Sequence, residues 1–188
     1  MNKPLLLLLD YLDTPIGEMR IVADEEGNLR AVDWTDHETR LNRLLQHHYG
    51  EDGFELATCH DPHGLTGALE RYFAGDLATI DALLVKTEGT AFQRRVWDAL
   101  RTIPCGATIS YAQLAVQIGQ PTATRAVGLA NGSNPVGVVV PCHRVIGANG
   151  SLTGYGGGLK RKLWLLNHES SAGVQAPRQA SLFEESPF

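Results

Sequence analysis

The sequence predicts an α/β (α+β) fold in two parts: a small N-terminal domain on an antiparallel sheet (1–88) and a mostly helical second domain (89–170). Three observations carry that prediction. Residues 5–34 alternate short apolar runs with turn signals, the pattern of a strand meander. From Thr90 onward the apolar residues recur at helical spacing, and the helices open on capping pairs. The charge changes sign at the same place: residues 1–89 hold 7 Lys/Arg against 17 Asp/Glu, and residues 90–170 hold 8 against 2. The net charge of −5 therefore hides an acidic module joined to a basic one, of which only the second suits phosphate.

Taken in order, LLLLLDYL, EMRIVAD and LRAVDW read as three strands, separated by turns at Pro15–Gly17 and Glu26–Asn28. HETRLNRLLQHHY (37–49) puts Leu41, Leu44 and Leu45 on one helical face, which should pack on that sheet. LTGALERYFAG (65–75) reads as a short helix with a glycine stop. Cys59, His60 and His63, like His37, His47 and His48, lack the two spaced pairs that a zinc site needs, so no metal is expected. Thr90 with Gln93 caps a helix whose stripe is Phe92, Val96, Leu100 and Ile103, ending at Pro104–Gly106. Cys105 there, with no histidine next to it, reads as structural or incidental. Ser110 with Gln113 caps a second helix, 111–118, stopped by Gly119, and a third runs from about Thr122 to Asn131. Two short helices across a tight Gly/Pro turn have the outline of a helix-turn-helix, at about 110–131, although many helical hairpins never meet DNA. Ala123, Ala126, Gly128 and Ala130 let a backbone come close, and Arg125 is that helix's only charge.

The chemistry concentrates in Val136–Gly158, VGVVVPCHRVIGANGSLTGYGGG. The valines read as a buried strand, ended by Pro141, so that Cys142 and His143 should sit where a rigid strand meets a loop. A bare composition reading makes Cys142 a small buried hydrophobe and His143 a satisfied loop residue. The chemical reading makes Cys142 a nucleophile, which must become a thiolate because a free thiol with pKa about 8.5 is only a few per cent ionised at neutral pH. Adjacent side chains on extended backbone point apart, so direct contact of His143 with Cys142 is not guaranteed and a water could bridge them. A histidine base needs a carboxylate behind it, and residues 90–170 offer only Asp98 and Glu169.

The segment PCHRV, with Asn134-Pro135 before it and Tyr155 and its glycines after it, resembles the active-site signature of the O6-alkylguanine-DNA alkyltransferase family. The likeness extends through TAFQRRVWDALRTIPCG (90–106), SYAQLA (110–115), TRAVGLANGSNP (124–135) and KRKLWLLNHE (160–169), in the family's order and near its spacing. The resemblance implies a ribonuclease-H-like first domain and a winged-helix-like second one. It implies a relay of Cys142, water, His143 and Glu169, with Asn134 tying the helix–strand junction. Tyr111 would help the purine leave as a neutral base, and Tyr155 would line the base pocket. The 122–131 helix would enter the minor groove through Thr124, Ala126, Gly128 and Ala130, with Arg125 filling the gap left by the flipped nucleotide. Thr124 is larger than the alanine often found there. The implied substrate is double-stranded DNA bearing O6-alkylguanine or O4-alkylthymine. The implied reaction is a single transfer per molecule that leaves a stable thioether and needs no cofactor. A non-catalytic protein that recognises alkylated DNA is the alternative, and the presence of Cys142 argues against it; a thiol hydrolase is disfavoured by the adjacent Cys-His order.

Leu5–Leu9 is far too short to span a membrane, and three cysteines without framework spacing fit a reducing compartment, so a cytoplasmic monomer is expected. The polar tail 171–188 is expected to be disordered. Its Gln179-Ala-Ser-Leu182-Phe183 resembles the short peptide by which bacterial repair proteins dock on the sliding clamp.

Overall fold

A computed structural model describes residues 4–170, so the tail with Gln179–Phe183 lies outside the described residues. The chain forms two compact units. One comprises the chain up to Gly89 together with Pro135–Val139, and the other comprises Thr90–Asn134 and the chain from Val140 onward.

In the first unit, β1 (Leu5–Thr14), β2 (Gly17–Asp24) and β3 (Leu29–Trp34) form the expected meander. Thr14 Oγ1 accepts from Ile16 N and donates to Gly17 O, closing the first turn. Asp24 accepts from the backbone and side chain of Asn28 and from Arg30 Nε at 2.7 Å, which fixes the second. Helix α1 (Glu38–Tyr49) then carries the chain across to β4 (Phe54–Thr58), which pairs with β1 in parallel. The strand order is β3-β2-β1-β4, so the sheet is mixed: the expected antiparallel pairing holds for β1–β3, and β4 adds a parallel strand. The cause is the helical crossover, which returns the chain to the same end of the sheet. No alternation announces β4, because much of this edge strand is exposed.

Leu7, Leu9, Val22 and Ala31 of the sheet pack with Leu41 and Leu45 of α1 in one core. Helix α2 (Leu65–Phe73) packs on β1, where the buried Asp10 accepts from Asp61 N and Thr66 Oγ1. The outer edge of β3 is closed by two passing segments: Leu29 exchanges backbone bonds with 84–86, and Val32 does so with Pro135 and Gly137. An otherwise open edge is thereby covered.

The valine run is not a strand. Only Val136 bridges to Val32, and beyond it Val139 N bonds Gly137 O, Val138 takes a positive φ of 69°, and Cys142 N bonds Val140 O. Pro135, Gly137 and Pro141 deny the run a continuous ladder, and the valines serve as core filler instead. A β-branched residue at positive φ is a strained conformation.

The second unit is helical: α3 (Ala91–Leu100), α4 (Tyr111–Gln117), α5 (Thr124–Gly132) and α6 (Leu159–Ser170), with the two-residue strands β5 (Ile109–Ser110) and β6 (Val145–Ile146) paired in parallel. Both capping boxes form, Thr90 with Gln93 and Ser110 with Gln113. Helices α3, α4 and α5 pack on one another, and α6 backs the turn at Cys142–Arg144. Among the described residues no helix is long and apolar enough to cross a membrane.

Candidate active site

Cys142, His143 and Arg144 occupy one 3-10 turn, and all three are buried. The turn follows from the local sequence: Pro141 cannot donate, and Arg144 N bonds back to the Pro141 carbonyl. Cys142 retains 6% of its surface. Its sulfur accepts from Asn134 Nδ2 at 3.2 Å, and the same amide nitrogen donates to Val140 O at 2.8 Å. Asn134 thus touches the sulfur itself as well as tying the junction, and it offers a donor where a thiolate would carry charge.

His143 Nε2 lies 2.8 Å from Glu169 Oε1. Glu169 shares one face of α6 with the buried Lys162, Leu165 and Leu166, seven, four and three residues before it, a spacing that turns it inward. Asp98, the other carboxylate available, is exposed. Glu169 is gripped from a second side as Arg144 Nε donates to Oε2 at 2.8 Å and Nη2 to Oε1 at 2.9 Å. Arg144 Nη1 also holds Ile103 O at 2.6 Å, and Gly106 N donates to Glu169 Oε2 at 3.3 Å. Burial pulls the Glu169 pKa up, but His143 and Arg144 outweigh it and hold the carboxylate well below its usual range. Burial drives His143 the other way, below the usual histidine range; Glu169 opposes this, while Arg144 and Lys162 add to it. The pair is therefore a neutral imidazole beside an ionised carboxylate. With Nε2 donating to Glu169, Nδ1 is left as the basic nitrogen, and it is buried with no hydrogen-bond partner among the described residues.

Tyr111 begins α4, and its hydroxyl donates to Thr153 O at 3.1 Å. Burial, followed by the charge on Cys142, raises its pKa above the usual tyrosine value, so it stays a proton donor; the bond to Thr153 only partly offsets this. Lys162 donates to the same carbonyl at 2.7 Å and to Val145 O at 2.6 Å. Burial pushes its pKa down to about 8, against an upward pull from Cys142. Gly154 lies between these groups in a left-handed conformation, φ 48°, where a Cβ would stand 3.6 Å from the Tyr111 hydroxyl. Tyr155 is half-buried, with its ring edge-on to His143 at 6.5 Å between centroids.

Helix α5 divides its residues sharply. Thr124, Arg125, Gly128 and Leu129 line an open cavity of about 390 Å³ together with Tyr111, Thr153 and Gly154. Arg125 and Ala126 are exposed. Ala130 is not on that wall: only 3% exposed, it faces α3, and its carbonyl accepts from Trp97 Nε1 at 2.8 Å. Its expected place on the groove-facing side is corrected, because at 100° per residue it falls with Val127 and Asn131 on the inner face.

Sequence reasoning passed over Arg144, Lys162 and Asn131, whose Nδ2 donates to Cys142 O at 3.4 Å. Two signals were available. Arg144 is a cation directly after the base in a stretch poor in acids, and Lys162 occupies the apolar stripe of its helix, where a lysine needs internal partners.

Comparison with known proteins gives one answer. Residues 7–87 match the model described as 6-O-methylguanine DNA methyltransferase, ribonuclease-like domain, and residues 91–171 match its DNA binding domain. The methylated-DNA–protein-cysteine methyltransferase of Salmonella typhimurium is 54% identical over 165 residues, 88% of this chain and 96% of the relative. The enzyme of the same name from Mycobacterium tuberculosis is 45% identical, over 92% of this chain and 96% of its own. Among solved structures, Mycobacterium tuberculosis OGT in complex with DNA superimposes with a TM-score of 0.72 at 39% identity, covering 90% of this chain and 95% of that one.

Proposed function

This chain belongs to the 6-O-methylguanine DNA methyltransferase family, and we propose that Cys142 is the sulfur on which its DNA repair by alkyl transfer ends. One observation carries the assignment: the Cys142 sulfur accepts from Asn134 while its neighbour His143 is backed by an ionised Glu169.

Neutral His143 takes the thiol proton at Nδ1 through a bridging water, and Glu169 steadies the imidazolium as it forms. Asn134 donates to the developing thiolate, and the buried Lys162 adds a positive charge nearby. The sulfur attacks the alkyl carbon on O6 of guanine. The S–C bond forms as the C–O6 bond breaks, and the electron pair passes to the purine. The proton lost by the thiol is returned to the base, so that guanine leaves neutral, assisted by the Tyr111 hydroxyl. A thioether does not hydrolyse and no second acceptor follows in the mechanism, so each molecule acts once and needs no cofactor.

The lesion is inside a duplex and must leave the stack, at a cost of a few kcal/mol. Arg125, flanked by Thr124, Ala126 and Gly128 on α5, fills the space it leaves, and Tyr155 borders the base. O6-alkylguanine is the principal substrate and O4-alkylthymine a further one. We place the protein in the cytoplasm as a monomer, with domains 1–88 and 89–170, of which the second lends Pro135–Val139 to the first unit. The Gln179–Phe183 peptide is proposed to dock on a sliding clamp, and a truncation after Pro177 that leaves clamp pull-down unchanged would dispose of that idea.

Mass spectrometry after incubation with an oligonucleotide bearing O6-methylguanine tests the reaction. The expected result is one added methylene on Cys142, and none on the Cys142→Ser variant. An unmodified wild-type Cys142 would favour the alternative of a recognition protein.

A further inference from the structure

We propose that Leu129 is a DNA-contacting residue that grips the sugar wall of the minor groove beside the lesion, a role that rests on the functional reading above. It is the most exposed large hydrophobic side chain among the described residues, at 73%. Its position is not incidental. Leu129 lies four residues after Arg125 on α5, both side chains project on the outer face, and both wall the same cavity. The unit that carries it has 8 Lys/Arg against 2 Asp/Glu in residues 90–170, and the exposed Arg125 stands on the same helical face, a balance that suits a polyanionic partner.

A leucine can gain nothing from phosphate. On a duplex it gains by covering deoxyribose carbons, which line the minor-groove walls, and the small Ala126 and Gly128 beside it allow that approach. Arg125 and Leu129 then divide the work on one helical face. The arginine supplies charge and fills the emptied stack, and the leucine supplies apolar area that holds the helix in register on the backbone of the damaged strand.

The two contributions separate in a salt titration. Binding of a duplex bearing O6-methylguanine is followed by fluorescence anisotropy in the full-length Cys142→Ser protein, which cannot consume the lesion. Leu129→Ala and Leu129→Gln are added to that background. About a tenfold rise in Kd is expected for each, the size that goes with losing a few buried carbons, with the slope of log K against log salt unchanged. Arg125→Ala, in contrast, lowers that slope. Thermal unfolding of both leucine variants should match the parent, because the side chain is exposed. A Kd within twofold of the parent overturns the proposal, as does a loss of affinity accompanied by a shallower salt slope or a lower melting temperature. A wild-type protein that gains no methyl on Cys142 overturns the functional reading together with this inference; a methylated Cys142 with unchanged Kd overturns the inference alone.

Discussion

Glu169 serves two of its partners in different ways. His143 needs its charge for chemistry, and Arg144 needs it for solvation inside the protein. Glu169→Gln should therefore slow methyl transfer roughly a hundredfold, within the range for losing acid–base support. It should also cost stability, about 3–5 kcal/mol, because the buried Arg144 guanidinium loses its compensating negative charge. The double variant Glu169→Gln/Arg144→Met separates the two effects: denaturant melts should recover much of the stability while transfer stays slow. Recovery of both together would mean that the carboxylate has no role in the reaction. Lys162 makes a different contribution, as a buried cation whose charge is coupled to the Cys142 sulfur. Lys162→Met should slow the reaction of Cys142 with iodoacetamide near neutral pH, because the thiolate loses a neighbouring positive charge. The rate is followed on the Cys142 peptide so that Cys59 and Cys105 do not contribute.

Among the elements, α5 is the most informative, because its register decides which small residues face DNA. Gly128 lies on the cavity wall, and a Cβ added there would meet the Tyr111 ring at 3.9 Å, ordinary contact. Gly128→Ala should therefore raise thermal stability by roughly 0.5–1 kcal/mol, the helix propensity difference, while slowing repair by narrowing the cavity. A stabilised variant with unaltered repair of duplex DNA would show that the wall has room to spare. The helices were legible in the sequence because capping pairs and stripes are local: Thr90 with Gln93 and Ser110 with Gln113 close as written. The valine run was not legible, because whether a β-branched stretch becomes a strand depends on a neighbour offering an edge, and only Val32 offers one bond pair. Ala130 was misplaced for a related reason. A run of small residues states how closely a helix can be approached, but not from which side. The site itself was half legible. PCHRV led to Cys142 and His143, and the scarcity of acids after Thr90 narrowed the carboxylate to Asp98 or Glu169, between which the family resemblance chose Glu169; Lys162 was hidden in a basic cluster, KRK, that reads as surface.

The whole molecule should lose stability in mild acid, in part through the half-buried His48 of the first unit and in part through His143 of the second. His143 titrates below its ordinary value of 6.5 when folded, so the unfolded chain binds its proton first. Its contribution is fully present above about pH 6.5 and is lost as pH falls through the folded value. Glu169, depressed from 4.5, adds a second loss that begins only in stronger acid. Melting temperatures should accordingly decline between pH 7 and 5, and His143→Gln should flatten the curve in that window. An unaltered curve would place the acid sensitivity elsewhere.

Pro135–Val139 belongs with the first unit, although the residues on either side of it belong with the second. The chain consequently has no single cut point that yields two self-sufficient pieces. A fragment ending at Gly89 would leave the Val32 amide and carbonyl bare and would lack the buried Val136 and Val138, so it should melt early and be rescued by a synthetic peptide spanning residues 133–141. Whoever trims this protein to its reactive half would meanwhile be left holding those valines in water.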